Sequence, residues 1–467
     1  NRIPVTQTST VLLRSDGSVI GSPAPRPSIS AQLLRQRRDL KKVFMTATPD
    51  STAAAATAPA APADSESRRP ARILGLDGPR GFACLCVLAV HVGGHYSPQT
   101  VLTYKLGLLG QGLIFFFALS GFLIFLPMVR KLFAGKPMPN NFSYAMHRLL
   151  RVFPAYLFIF LFANFVMRAV FVENAAVAEQ HFTDNGLGIL TDPLTLLANL
   201  TLLHSYIPSM LQTGINPSWS LSLEFAFYLA LPLLTGIAFY LRKRTSVSAP
   251  VLAMIPVVIM FVIGITGKLY TASLVGPSGI TDPKLLDWGP NQVAVLSRSF
   301  WSLADNFTYG MLAAVVFVAI DTGMLKGAIA TKMRWWTGLA MIPTAAISLK
   351  LIDDNSRWQS STVAFGSALL ILFIIVPLAR GEKSLLAERA DWAPLSYVGM
   401  ISLSVYLWHF PILIMVGRFG WMAGDSPLGM LRNFVVVSAI SIAFGTVTYR
   451  FIEKPALTYA RRFKASK

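Results

Sequence analysis

From about residue 77 to residue 452 the chain alternates long apolar runs with short polar breaks. Ten runs stand out, at residues 77–96, 107–128, 149–172, 219–241, 249–267, 299–320, 335–352, 360–379, 396–417 and 433–452. Each is close to the roughly 20 residues that a helix needs to cross a hydrocarbon core about 30 Å thick. Runs this long and continuously apolar predict helices, which satisfy their own backbone groups inside lipid. The breaks are too short for a sizeable soluble domain. The predicted fold is therefore all-α, a polytopic membrane protein with about ten transmembrane helices in one domain over residues 73–456.

Two segments fall outside this alternation. Residues 1 to about 72 are rich in Ala, Pro, Ser, Thr and Arg, include "STAAAATAPAAPA", and show no sustained hydrophobic period. Such a composition predicts a disordered leader. It has no apolar core of a secretory signal, and Met45 is its first Met and a candidate start. Between the third and fourth runs, "TDPLTLLANLTLLHSY" is too interrupted to span and reads as a re-entrant or interfacial helix.

Composition supports the membrane reading: 54% of residues are hydrophobic and 13% charged, about half the charge of a typical soluble protein. The net charge of +19 would suit nucleic acid, but the basic residues lie in short clusters between runs and form no continuous basic face. If the leader is cytoplasmic, the loops on its side and the basic tail at 457–467 carry more than twice the Lys and Arg of the opposite loops. By the positive-inside rule this predicts both termini in the cytoplasm and a multi-pass protein of the plasma membrane. The third outer loop, roughly 173–218, has four acidic residues and no Lys or Arg. No internal repeat is visible, which argues against transporter folds built from inverted halves.

Ionisable residues inside such runs are costly and mark candidate function. In "LDGPRGFACLCVLAVHVGGHY", Arg80 and His91 are eleven residues apart, about three turns and ~16 Å along one helix face. Arg80 is near enough to the interface to be either an anchor or a site residue. His91 is the stronger candidate, because a lipid-facing imidazole would leave its N–H without a partner. His95, one turn on, sits on the same side, but no third ligand makes the pair a metal site. Cys84 and Cys86 point in different directions and read as core residues. Asp77 and Pro79 suit a helix start.

Three further groups follow. In "NPSWSLSLEFAFYLALPLL", Ser220, Glu224 and Tyr228 form a polar stripe at i, i+4 and i+8. Glu224 and His91 lie at equal depth from the outer helix ends, so a carboxylate-imidazole pair is geometrically open, with a structural role for Glu224 as the alternative. In "HRLLRVFPAYL", Arg148 and Arg151 share one face at the inner end of the third run, as phosphate grips or as ordinary anchors. In "ISLSVYLWHFPI", Ser402 and His409 share a face ahead of Pro411. His409 reads as either a second site residue or a buried inter-helix hydrogen bond.

Taken in order, "LDGPRGFACLCVLAVH", "FFFALSGFLI", "HRLLRVFPAYL", "WSLSLEFAFYL", "ISLSVYLWHFPI" and "FIEKP" resemble the membrane-bound acyltransferase-3 family over most of residues 73–456. This family comprises ten-helix O-acyltransferases of envelope sugars and glycolipids. The resemblance implies acyl-CoA as a donor substrate from the cytoplasmic side, with no permanently bound cofactor and no metal. It places Arg80, Arg148 and Arg151 on the CoA phosphates, His91 near the acceptor as the catalytic base with Glu224 supporting it, and Ser220, Tyr228, His95 and His409 around them. His147 stands where the family often has a further arginine, and Phe225 where a second acidic or polar residue is common. The expected partners are acyl-CoA, an external sugar or glycolipid acceptor and the bilayer, with homo-oligomers left open. The leader's composition suits a GC-rich source and keeps mycolate glycolipids among the acceptors. The rival reading is a glycolipid transporter or flippase using the same intramembrane charges.

Overall fold

The computed structural model describes residues 73–178 and 186–463. The predicted leader and the end of the basic tail lie outside the described residues. All ten apolar runs form helices. We label them α1 (Asp77–Tyr96), α2 (Gly112–Phe133), α3 (Asn141–Leu161), α4 (Trp219–Arg244), α5 (Ala249–Ser273), α6 (Phe300–Asp321), α7 (Gly327–Asp353), α8 (Gln359–Ala379), α9 (Ser402–Arg418) and α10 (Pro427–Thr448).

By length and composition, eight helices among the described residues can cross a membrane, or nine if a bent pair is one span. The helix outside that count is α1, where Arg80, His91 and His95 dilute the apolar run. The bent pair corrects the expected single span at 396–417. A short helix, Ala393–Met400, meets α9 at 79°. The cause lies in its packing against α1. A Cβ on Gly81 would stand 2.0 Å from the Leu395 carbonyl oxygen, and one on Gly399 would stand 1.9 Å from that of Asp77. The two backbones touch through glycine, as small residues allow between membrane helices, so the segment follows α1 before α9 turns into the bundle.

Hydrogen bonds and ion pairs sort the helix ends into two groups. At one end lie the start of α1, the end of α2 and the starts of α3 and α5, tied for instance by Arg130–Asp321 at 3.5 Å and Arg242–Lys136 carbonyl at 3.2 Å. At the other lie the end of α1 and the starts of α2, α4, α6 and α8, tied by Lys105–Asp353 at 2.7 Å and by Thr100 donating to Asp425 at 2.7 Å. These are called the arginine end and the histidine end below.

The α2–α6 contact is the tightest in the core. Gly121 and Gly310 each lie where a Cβ would strike the facing backbone, Phe307 O at 2.1 Å and Ala118 O at 1.7 Å. Phe307 stacks on Phe227 with centroids 4.3 Å apart. The segment expected to be re-entrant is an eight-residue helix, Pro193–Leu200, capped by Asp192 and followed by 3-10 turns. The same loop carries a two-residue antiparallel strand pair, Val170–Phe171 with Leu187–Gly188.

Candidate active site

Asp77 begins α1 as its first helical residue, with Leu76 in the N-cap position. The backbone N–H groups of Gly75, Asp77 and Gly78 donate to the Asp391 carboxylate at 2.8, 3.0 and 2.9 Å. A carboxylate at a helix N-terminus satisfies orphan donors and opposes the positive end of the dipole. This remote cap fixes the first turn, and with it Arg80, whose guanidinium is 3.9 Å from Asp77.

Arg148 and Arg151 approach from α3. That helix starts two turns earlier than its apolar run because Asn140 caps it, accepting from the Ser143 N–H at 2.9 Å. Both arginines are thereby held on rigid helix. Arg151 pairs with Glu453 at 3.3 Å, and Ser404 donates to the same carboxylate. Arg148 lies over the Tyr228 and Tyr144 rings at 5.7 and 5.8 Å. No carboxylate among the described residues pairs with Arg148, and its Nε is buried without a hydrogen bond.

Arg80, Arg148 and Arg151 line one cavity of 430 Å³ together with Ser220, Glu224 and Tyr228. Six residues singled out from sequence therefore meet in a single space, within the size range of small-molecule sites. Ser402 also lines it. Three guanidinium groups at one mouth, against Glu224 deeper in, make that mouth attractive to phosphates.

The expected pairing of Glu224 with His91 is not formed. Glu224 accepts from Ser120 Oγ on α2 at 2.9 Å inside the cavity. The partner of His91 is His409 on α9: Nδ1 of His91 is 2.8 Å from Nε2 of His409, and the rings meet edge to edge, with centroids 5.0 Å apart and planes 8° apart. Equal depth on two helices sets a level in the bundle but not a neighbour. In the structure α9 packs beside α1 and takes the place imagined for α4. His409 does make a buried inter-helix hydrogen bond, and it is made to His91 itself.

The tautomers follow from the partners. His409 Nδ1 faces the Tyr406 carbonyl oxygen, which only accepts, so this nitrogen carries the proton in a neutral ring and Nε2 is the acceptor. His91 Nδ1 then donates to it, leaving His91 Nε2 with its lone pair outward. A neutral imidazole held in this tautomer is a general base in waiting. His95 makes no ring contact with His91. Its Nδ1 lies 3.1 Å from the His91 carbonyl, and its edge packs on Phe410.

Tyr406 links the two halves. Its ring lines the arginine cavity, its hydroxyl bonds Ser220 Oγ at 2.8 Å and the Pro217 carbonyl at 2.9 Å, and its own carbonyl holds His409. Sequence reasoning missed this residue, although its place three before His409 in "SVYLWH" is a signal at helical spacing. Glu453 was visible only as part of "FIEKP", and nothing local marks Asp391. His204 is a second miss: 1% exposed, it contacts Ser205 and Ser218 through Nε2 at 3.2 and 3.1 Å. Burial lowers its pKa to about 4, so it is neutral near pH 7 and ties the α3–α4 loop to the start of α4.

This is the architecture of a polytopic membrane acyltransferase domain, with a cationic cavity at one level and a paired imidazole at the next. The chain belongs to the acyltransferase-3 family, whose acyltransferase domain matches residues 73–450. It is similar to the O-acetyltransferase OatA of Staphylococcus aureus, with 22% identity over 83% of this chain and 57% of that protein. It is also similar to the putative peptidoglycan O-acetyltransferase YrhL of Bacillus subtilis, with 23% identity over 84% of this chain and 56% of that one. The acyltransferase MdmB of Streptomyces mycarofaciens is 25% identical over 83% of this chain and 92% of its own length. The chain thus spans little more than half the length of OatA and YrhL. No solved structure matches it.

Proposed function

We propose that this protein is an O-acyltransferase of the plasma membrane that moves an acetyl or other short acyl group from acyl-CoA to a hydroxyl of an envelope sugar or glycolipid. The observation that carries the reading is that Tyr406, which lines the cavity with the three arginines, holds His409 through its carbonyl, and His409 in turn holds His91, which lies behind the cavity wall and not in its lining. Two relatives named as O-acetyltransferases, one of them for peptidoglycan, support the reaction class and extend the acceptors to peptidoglycan sugars.

Arg80, Arg148 and Arg151 bind the phosphates of the donor, and Arg148 has the free guanidinium edge for it. The ~16 Å from Arg80 to His91 is covered by the extended pantetheine arm, which carries the thioester along the cavity past Glu224 and Ser220. His91 Nε2 takes the proton of the acceptor hydroxyl as its oxygen attacks the thioester carbonyl. The tetrahedral intermediate collapses, the C–S bond breaks, and the departing CoA thiolate takes the proton back from His91. His409 accepts from His91 Nδ1 throughout, so the imidazolium that forms is hydrogen-bonded on its buried side. Glu224 belongs to the donor channel, where it orders Ser120.

The test is acyl transfer by purified protein in lipid with labelled acetyl-CoA and a hydroxyl acceptor. His91→Ala is expected to lose about 10²–10⁴-fold in kcat, the usual contribution of a general base, with acetyl-CoA binding retained. Wild-type transfer by this variant would remove His91 from the chemistry. Acceptor movement across the bilayer without CoA-dependent product would favour a transporter.

A further inference from the structure

A second cavity of 310 Å³ opens at the histidine end between α4, α5, α6 and α8. It adjoins the donor cavity, since Leu113 lines both, and the consecutive residues Trp219 and Ser220 face one each. Its wall is built around Arg298, 8% exposed. The guanidinium lies 3.1 Å from the centroid of Trp288 and 5.6 Å from that of Trp219. It donates to the backbone carbonyls of Asp287 and Ala294, and its Nε is buried without a hydrogen bond.

The charges around this space do not cancel. Arg357 pairs with Asp287 at 3.2 Å, and Lys268 pairs with the buried Asp305. Among the described residues Arg298 has no ion pair of its own: its contacts are backbone oxygens and indole faces, and the carboxylate that acts on it, Asp287, is already paired with Arg357. Removing such a charge from water is costly unless something compensates it, and cation-π stacking offsets only part of that cost. Flat indole faces also suit the apolar face of a sugar ring, while Gln111 and Gln359 at the rim offer amides to its hydroxyls.

We propose that this pocket is the acceptor subsite and that it selects a sugar bearing an anionic group, a carboxylate or a phosphate, which Arg298 receives while Trp219 and Trp288 flank the ring. The proposal rests on the acyl-transfer reading for the word acceptor, but its binding chemistry stands on the pocket alone. The anion sits at Arg298, and a hydroxyl of the same or a neighbouring sugar reaches over Leu113 toward the donor cavity. Neutral glycans lack the group that compensates the surplus charge.

Binding is read without turnover, by ligand-observed saturation-transfer NMR on the full chain in detergent with glucuronate, glucose 6-phosphate and glucose. Wild type is expected to bind at least one of the two anionic sugars tenfold or more tightly than glucose, and the better anion identifies its source. Arg298→Gln is expected to lose that preference. Arg298→Lys, which keeps the charge but not the planar stack, should retain the preference with weaker binding, and it serves if the Gln variant does not fold. Equal binding of all three sugars by wild type, or an undiminished preference in Arg298→Gln, overturns the proposal. A preference for anionic sugars in a protein that shows no acyl transfer would leave the pocket standing and reject the proposed reaction.

Discussion

At the residue scale, His91 illustrates how a polar side chain in an apolar helix acquires a role. Its spacing from Arg80 is a property of the sequence, whereas its tautomer is fixed by His409, a residue 318 positions away. On the proposed reading His409 is a positioning residue, which does not touch the acceptor but decides which His91 nitrogen is free. His409→Ala is expected to lower kcat about tenfold to a hundredfold, equivalent to roughly 1.4–2.8 kcal/mol, with the KM for acetyl-CoA unchanged. The double variant with His91→Ala should be no slower than His91→Ala alone, because residues acting as a unit are non-additive. Simple additivity, or a matching rise in KM, would reduce His409 to a packing residue. Glu224 shows the opposite outcome, since a matched depth suggested a pair that the helix arrangement did not make.

At the scale of elements, the site depends on how closely helices approach. The spans themselves were legible, because ten long apolar runs leave few alternatives in lipid. The 79° bend ahead of α9 was not legible. It arises where Gly81 and Gly399 let α1 and the short helix touch, a contact between residues more than 300 positions apart. The same argument yields a stability test at the α2–α6 crossing. Gly310→Ala would place a Cβ 1.7 Å from the Ala118 carbonyl oxygen, so it is expected to destabilise by about 1–3 kcal/mol through overpacking. Gly94→Ala on α1, with nothing within 4 Å of the added carbon, should be neutral or mildly stabilising. Thermal unfolding of both variants in one detergent compares them directly, and an equal response would mean that the α2–α6 crossing relaxes freely.

At the scale of the whole molecule, the bundle has two chemically distinct ends. One gathers Arg80, Arg148 and Arg151 around the first cavity; the other holds His91, His409 and the Trp-lined pocket. On the proposed reading the donor enters at the first end and the acceptor at the second. In sealed proteoliposomes of known orientation, labelled acetyl-CoA should therefore support transfer only from the side that faces the Arg80 end. Equal rates from both sides would refute this sidedness. On the proposed reading the arginine end faces the cytoplasm, which is also the orientation that the loop charges predict. The comparisons do not single out a mycolate acceptor, and the surplus cation at Arg298 directs attention to acidic sugars instead.

The sequence by itself determined the class of fold, the positions of the spans and the identities of the polar residues. Each of these follows from local rules: run length against bilayer thickness, 3.6-residue periodicity, and the high cost of a charge in lipid. The motifs also singled out Arg80, Arg148 and Arg151 as donor contacts and Ser220, Glu224 and Tyr228 as a polar stripe beside His91, and in the structure the six, without His91, line one cavity. Only the tertiary structure decided which imidazole partners His91, that Asp391 caps α1, that Tyr406 lies between the cavity and the histidines, and that Arg298 lacks an ion pair of its own among the described residues. Those outcomes depend on which helices become neighbours and at what rotation, and neighbour choice is set by glycine contacts and ring packing between distant segments that no local pattern encodes.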